Sequence, residues 1–352
     1  MLIDKLNFDV PQSLIAIHPK KPRDMSKIVV VNKDFKIENF KNLINYLQPN
    51  DALIFNNSKV LPAGLYGIFE NKVITVNLNK LIEKKKKVIW SAFIKSKKKI
   101  IKDNKIFFSN CFFATVSKIS IDSGSKLYFL TFNYSFKIFK KKLGKFGEAP
   151  IPPYIIKKRM PAKSDLKDYQ SILAKNDGSV AAPTASLHFS KRLLNKLQKK
   201  GIKIIHITLH VSAGTFLPIR EKNIHKHKMH FEYGHISKKS CLQINNVKKN
   251  GGKIIAVGTT VLRILESSKD SNGFVLPFKG ETNILIKPGW EITTVNGLIT
   301  NFHTPKSTLL TIVFTILGEK KTKLLYEYAI RKKLRFFSYG DACLLWKKND
   351  WR

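Results

Sequence analysis

The sequence predicts an α/β body, with a mixed or mostly parallel sheet and flanking helices, that carries an inserted small antiparallel β-barrel. Three observations predict it. Residues 1–65, and again the stretch after about residue 165, pair apolar runs with amphipathic segments, the grammar of strands covered by helices. Between about 66 and 148 the texture changes to short runs rich in β-branched and aromatic residues, separated by Lys, Asn, Asp and Gly. The 352-residue chain also exceeds the roughly 250 to 300 residues at which a single core stops growing, so more than one unit is expected. The body is assigned to 1–65 and 149–352, the barrel to 66–148.

Each element has its own signal. Ile28–Asn32 (IVVVN) reads as a strand, Phe40–Leu47 as a short amphipathic helix, and Asp51–Asn57 as a buried strand ending in polar side chains. The runs KVITVNL, KVIWSAFI, KIFF, CFFATVSKI and SKLYFLTFNY supply short strands at near-regular spacing, as in a small barrel. GEAPIPPYI, with Pro150, Pro152 and Pro153, can continue neither a helix nor a central strand and reads as the return hinge. Ser190 is placed to cap a helix that Gly201 closes, followed by the strand IKIIHITLHV. KIIAVGTT before VLRILESS, and LITNFH before a helix from Ser307, repeat that pattern.

Composition narrows the function. With 43% hydrophobic and 11% aromatic residues the chain can bury a core. Its 64 Lys and Arg against 24 Asp and Glu give a net charge of +40, which draws polyanions, nucleic acid foremost. Only eight of the basic residues are Arg, and Lys, Asn, Ile and Phe crowd the chain, so AT-rich coding accounts for part of the excess. Runs such as Lys84–Lys87, Lys97–Lys99 and Lys140–Lys142 read as solvated faces. Cys111, Cys241 and Cys343 show no CxxC spacing, which disfavours a disulfide framework or thiolate zinc. Neither a signal peptide nor a run of about 18 apolar residues is present, so a cytoplasmic protein is expected.

Five polar clusters follow apolar runs, where open α/β sheets bind ligands. GSVAAPTASLHFS holds Ser179, Thr184 and His188 in a small-residue loop before a helix, either a ligand cradle or a plain connection with a core histidine. His210 precedes Ser-Ala-Gly-Thr and Phe216, as a general base or a buried imidazole. HKHKMHFE carries His225, His227, His230 and Glu232; without HExxH or thiolates no metal is assigned, and Glu232 is an acid/base or orienting candidate. Gly258-Thr259-Thr260 presents donors ahead of Arg263 but is no GxGxxG, which disfavours a dinucleotide. Asn301 and His303 end another strand, and Tyr339-Gly340-Asp341 forms a turn in which the Asp could also be structural. Together they imply one shared cleft.

GSVAAPTASLHF, TLHVSAGTF, HKMHFE, IAVGTT with its Arg and Glu, LITNFHTPKSTLL and RFFSYGDA occur in one order, after LNFDVPQSLIAIHPKKPRDMSKIVVV, DALIFNNSKVLPA, IPPYI and DYQSILA. This set resembles the S-adenosylmethionine:tRNA ribosyltransferase-isomerase family of queuosine biosynthesis, least so in residues 66–148. The resemblance implies transfer and isomerisation of the ribosyl part of S-adenosylmethionine onto 7-aminomethyl-7-deazaguanine at the wobble position of a GUN-anticodon tRNA. Epoxyqueuosine-tRNA, adenine and methionine would result. The donor is a consumed co-substrate, so no cofactor and no metal are expected, and a monomer is.

It also implies roles. His210 or His303 is the base, with Glu232 and Asp341 orienting or substituting. Thr259, Thr260 and Arg263 anchor the donor; Asn56, Ser179, Thr184, His188, Thr215 and Asn301 line the pocket; Phe216 and Tyr339 stack on an anticodon base. Arg23, Lys59 and Arg335 meet tRNA phosphates. Three positions depart from the family pattern: Gly64 replaces an Arg, Ser212 a Gly, and Phe314 a small Ser. Two other readings follow, a noncatalytic RNA-binding descendant, which Gly64 would suit, and a metal-dependent hydrolase using His225, His227 and His230.

Overall fold

The structure, a computed structural model, describes residues 2–122, 125–216, 219 and 221–350. Its body strands are β1 (Lys27–Val31), β2 (Phe35–Asn39), β3 (Ala52–Asn56) and β4 (Ser58–Val60) before the barrel. The barrel strands are β5 (Gly64–Phe69), β6 (Lys72–Glu83), β7 (Val88–Lys95), β8 (Lys105–Ser109), β9 (Phe112–Asp122) and β10 (Ser125–Phe132). The body resumes with β11 (Asn176–Ser179), β12 (Lys203–Leu209), β13 (Glu232–Ile236), β14 (Ile254–Val257), β15 (Phe278–Thr282), β16 (Gly297–Asn301) and β17 (Ala342–Trp346). The helices are α1 (Phe136–Phe146), α2 (Pro153–Ile156), α3 (Asp165–Asp168), α4 (Lys191–Lys199), α5 (Lys238–Lys249), α6 (Thr259–Ser267), α7 (Thr308–Leu317) and α8 (Glu319–Arg331).

Nine strands form the body's sheet in the order β15-β13-β12-β3-β14-β16-β17-β1-β2. Strands β12, β3, β14 and β16 run parallel at its centre, and antiparallel pairs flank them, so the sheet is mixed. The central strands are apolar throughout because both faces are covered, and alternation decides which face each residue serves. Val29, Val31, Ala52, Ile54, Ile254 and Ala256 pack with residues of α5 to α8. Ile28, Val30, Leu53, Phe55, Ile255 and Val257 face Leu193, Leu194 and Leu197 of α4, with Phe40 and Leu43.

The Phe40 segment folds as a 3-10 helix, Phe40–Tyr46, where an amphipathic α-helix was expected. Seven residues with no capping side chain at Asn39 gain too little from α-type bonds to offset nucleation. Ser190 and Ser307 do cap α4 and α7, accepting from the Leu193 and Leu310 amides at 3.0 and 3.2 Å. Among the described residues no helix is long and apolar enough to cross a membrane.

Strands β5 to β10 close into a six-stranded barrel. Its period-2 pattern turns Ile74, Val76 and Leu78, then Val88, Trp90 and Ala92, then Ala114 and Val116, inward. Phe112 and Phe132 fill the centre, and Phe139 and Leu143 of α1 pack into the same core. The barrel hangs from a narrow neck in which Gly64 and Glu148 exchange backbone bonds of 3.2 and 2.7 Å. Gly147 passes so close that an added Cβ would lie 2.1 Å from the Pro62 carbonyl oxygen.

Candidate active site

The cleft lies where the parallel strands stop. Strand β14 ends at Val257, Gly258 turns the chain at φ 100°, and α6 opens with Thr259 and Thr260. Strand β16 ends at Asn301, and Phe302 to Thr304 continue along the rim. The small residues Ala181 to Ala185 form the opposing wall, with Tyr154, Val211, Phe337 and Ser338. About 640 Å³ of empty space is counted up to the open mouth. Thr184, Thr259, Thr260, Asn301 and His303 thus converge on one cleft, delivered by three separate segments: the loop after β11, the start of α6 and the end of β16. The N-terminus of α6 adds backbone N–H donors there.

His303 is buried, donates its backbone N–H to the Tyr326 hydroxyl at 3.0 Å and places Nε2 2.8 Å from Thr300 Oγ1. Burial alone pulls its pKa to about 3, so the ring is neutral at physiological pH. Asn301 donates to the Phe337 carbonyl at 3.0 Å, while its Oδ1 has no hydrogen-bond partner among the described residues. Tyr154 holds Ser338 through Oη, 2.5 Å from Ser338 Oγ, and burial pushes its phenol up to about 12.

His210 sits across the strand from this wall. Leu209 and Val211 point one way, so alternation turns His210 the other, toward β4 and β11. Its Nδ1 lies 2.7 Å from Ser58 Oγ, which is 2.7 Å from Ser179 Oγ; Ser179 in turn accepts the Val211 N–H at 2.8 Å. Tyr233 stacks on the imidazole at 6.1 Å, and Gly178 passes so close beneath it that an added Cβ would come within 2.7 Å of the ring. Burial, then Lys84 of the barrel, holds the His210 pKa below the ordinary value, against the pull of Asp177.

Other expected site residues are engaged structurally. Asn56 brackets Leu209, accepting its N–H at 3.0 Å and donating to its carbonyl at 2.8 Å, and reaches Thr260 Oγ1 at 3.5 Å. Glu232 accepts the Ser212 N–H at 3.0 Å and forms a fully buried ion pair with Arg263, whose Nη2 finds no hydrogen-bond partner among the described residues. Asp341 ties the Lys27 and Arg335 amides at 2.9 and 2.8 Å. His188 stacks on Phe40, takes a 2.7 Å bond from or to Ser26, and is pulled to about 3 by burial and by Arg335, against Asn301.

Arg23 and Arg335 do not line the cleft; they line a smaller pocket beside it with Tyr339, whose buried hydroxyl points at Asp165, 3.5 Å away. Lys59 is half-exposed on β4, 3.8 Å from Asp177. Thr215 and Phe216 lie outside the described side chains. Gly64 is in the barrel neck, Ser212 is buried and its Oγ has no hydrogen-bond partner among the described residues, and Phe314 is absorbed by the core. No group of three or more His, Cys, Asp or Glu among the described residues is placed to hold a metal ion. Sequence reasoning missed Ser58, Tyr154 and Ser338. DALIFNNSKVLPA, through its one hydroxyl, and the IPPYI run held the first two in plain view, but only the fold brings them to His210 and the cleft.

A body with a donor-lined cleft outside its parallel strands, carrying an inserted barrel, defines an α/β enzyme. The family of queuosine biosynthesis proteins matches residues 3–345. The S-adenosylmethionine:tRNA ribosyltransferase-isomerase of Zymomonas mobilis is 41% identical over 349 residues, 99% of this chain and 100% of that protein. The Brucella melitensis protein of the same name is 40% identical, over 98% of this chain and 97% of its own. A crystal structure of S-adenosylmethionine tRNA ribosyltransferase from Thermotoga maritima superposes with a TM-score of 0.53 at 26% identity, covering 97% of this chain and 99% of that one. The chain belongs to the S-adenosylmethionine:tRNA ribosyltransferase-isomerase family and is a transferase.

Proposed function

We propose that this enzyme moves the ribosyl group of S-adenosylmethionine onto 7-aminomethyl-7-deazaguanine at the wobble position of a GUN-anticodon tRNA and isomerises it. The products are epoxyqueuosine-tRNA, adenine and methionine. The observation that carries the reading is the convergence of Thr184, Thr259, Thr260, Asn301 and His303 on one cleft, in a chain so similar to enzymes of that name. The donor is consumed, no separate cofactor or metal enters, and the enzyme works as a cytoplasmic monomer.

In this reading a base removes a proton from the ribose 5′-carbon, acidified by the adjacent sulfonium. We assign that role to His210, which precedes the cleft wall's Val211 in the chain but stands outside the lining itself: its ring is neutral, Ser58 fixes Nδ1, and Nε2 is left for the proton. His303, whose pKa near 3 makes it a feeble base, serves as a neutral hydrogen-bonding group beside the leaving adenine. Thr259 and Thr260 hold the nucleoside, with Thr184 and Asn301 at the walls. Arg263 and Glu232 fix the floor as a pair, and Asp341 positions Arg335 through its amide. His188, Asn56 and Ser179 act by positioning; Thr215 and Phe216 meet the RNA base, and Arg23, Lys59 and Arg335 the RNA backbone.

Incubation with S-adenosylmethionine and precursor tRNA should release adenine and yield the epoxide nucleoside, neither appearing when tRNA is omitted. His210→Ala should lower the rate about 10²- to 10⁴-fold. Wild-type turnover in both the His210→Ala and His303→Ala variants would remove the assignment, and no adenine from the native enzyme would remove the reading itself.

A further inference from the structure

Beside the cleft lies a second pocket of about 210 Å³ of empty space, and Ser338 lines both. Its wall is cationic: Lys20, Arg23 and Arg335 line it, together with Ser26, His188 and Tyr339 among others, and no carboxylate is among the lining residues. The two guanidiniums are held differently. Arg23 is anchored by the carbonyls of Leu187, Lys167 and Asp168 at 3.3, 3.1 and 2.8 Å and stands 3.8 Å from Asp168 Oδ1. Arg335 touches only the His18 carbonyl, at 3.3 Å through Nη1, and stands 3.6 Å from Asp341 Oδ1; its Nε and Nη2 are buried with no hydrogen-bond partner among the described residues. Unsatisfied buried donors carry a desolvation cost that a ligand accepting them would relieve.

We propose that this pocket is an oxyanion seat for one backbone phosphate of the RNA, the phosphodiester flanking the reacting nucleotide. The inference rests on the tRNA reading above and deepens it, since Ser338 lines both and makes the seat adjacent to the cleft. A planar guanidinium matches the oxygens of a phosphate in two-point fashion. The donor's own carboxylate fits less well, because the α-ammonium it carries would be brought against three cations with no carboxylate in the lining to receive it. Seating this phosphate fixes the register of the strand, so the seat selects which nucleotide enters the cleft.

The test uses the full chain with Arg335→Gln, Lys20→Gln and the conservative Arg335→Lys, each checked for an unchanged unfolding midpoint. Affinity for a fluorescein-labelled anticodon stem-loop RNA is read by anisotropy, and KM for tRNA and for S-adenosylmethionine by adenine release. Arg335→Gln should weaken RNA binding about 10- to 100-fold, as for hydrogen bonds to charged groups, with the donor KM moved less than about twofold. The slope of log affinity against log salt should fall by about 0.7, one single-strand phosphate contact, in Arg335→Gln, and Arg335→Lys should restore part of the affinity. An unchanged RNA affinity, or a rise confined to the donor KM, overturns the seat. Because RNA binding is read without turnover, an enzyme that binds RNA through Arg335 yet releases no adenine would sink the functional reading and leave the seat standing.

Discussion

The barrel and the body bury their side chains to different ends. In the barrel, Phe112 touches the rings of Phe108, Phe132, Tyr134, Phe139 and Phe146, and interior positions are almost wholly apolar. In the body, the sheet's two apolar layers end in a rim where, among the described residues, buried polar atoms are left without a hydrogen-bond partner: the acceptor Asn301 Oδ1 and the donors Arg263 Nη2 and two nitrogens of Arg335. A filled interior stabilises itself, whereas an unfilled polar one is maintained by the rest of the fold and awaits a ligand. Among the described residues, the unsatisfied groups that line the cleft and the pocket beside it are therefore in the body.

Substitutions sharpen this contrast. The largest stability effect belongs to the barrel: Phe112→Ala should cost about 3 to 5 kcal/mol, read from the urea transition, while donor binding to the cleft is retained. Loss of donor binding along with the barrel would mean that the two units are one cooperative body after all.

An intermediate effect belongs to the body and depends on pH. His188 and His303 have folded pKa values of about 3 against an ordinary 6.5. The unfolded chain thus binds the extra protons, so their contribution is intact above about pH 6.5 and is lost as pH falls toward 3. At pH 4.5 each should have forfeited about 2 to 3 kcal/mol. His303→Gln should remove about half of that acid sensitivity in a urea series from pH 7 to 4.5; an unaltered slope would mean that the imidazole is not shielded as the fold implies.

The smallest effect is expected at the joint. Lys80 and Glu281 bridge barrel and body at 2.6 Å on a partly exposed surface, so Lys80→Ala should change stability by less than about 1 kcal/mol. A larger loss would make that bridge a true fastening.

Much of this was legible in the chain. Strict alternation in VITVNL and VIWSA shows which barrel residues point inward, and the carboxyl-end rule gathers Thr259, Asn301 and His303 before any coordinates are seen. Alternation along ITLHV also separates Leu209 and Val211 from His210. What stayed hidden depends on pairing between distant segments. Ser58 meets His210 only because β4 pairs with β11, and Arg335 meets Arg23 only because the chain returns from α8 to the turn before β17. The structural alternative left open for Asp341 is the one the fold shows, two backbone amides occupying it, whereas nothing local reveals that Arg263 occupies Glu232.

The neck joining Gly64 to Glu148 has a consequence for how the molecule is assembled. Every barrel pairing is made within the inserted segment, so that unit can form early and deliver its two ends already side by side. Strand β3 then finds β12 across a short effective tether instead of a long floppy one, and the entropy of ring closure has been met by the insert before the great sheet begins to zip.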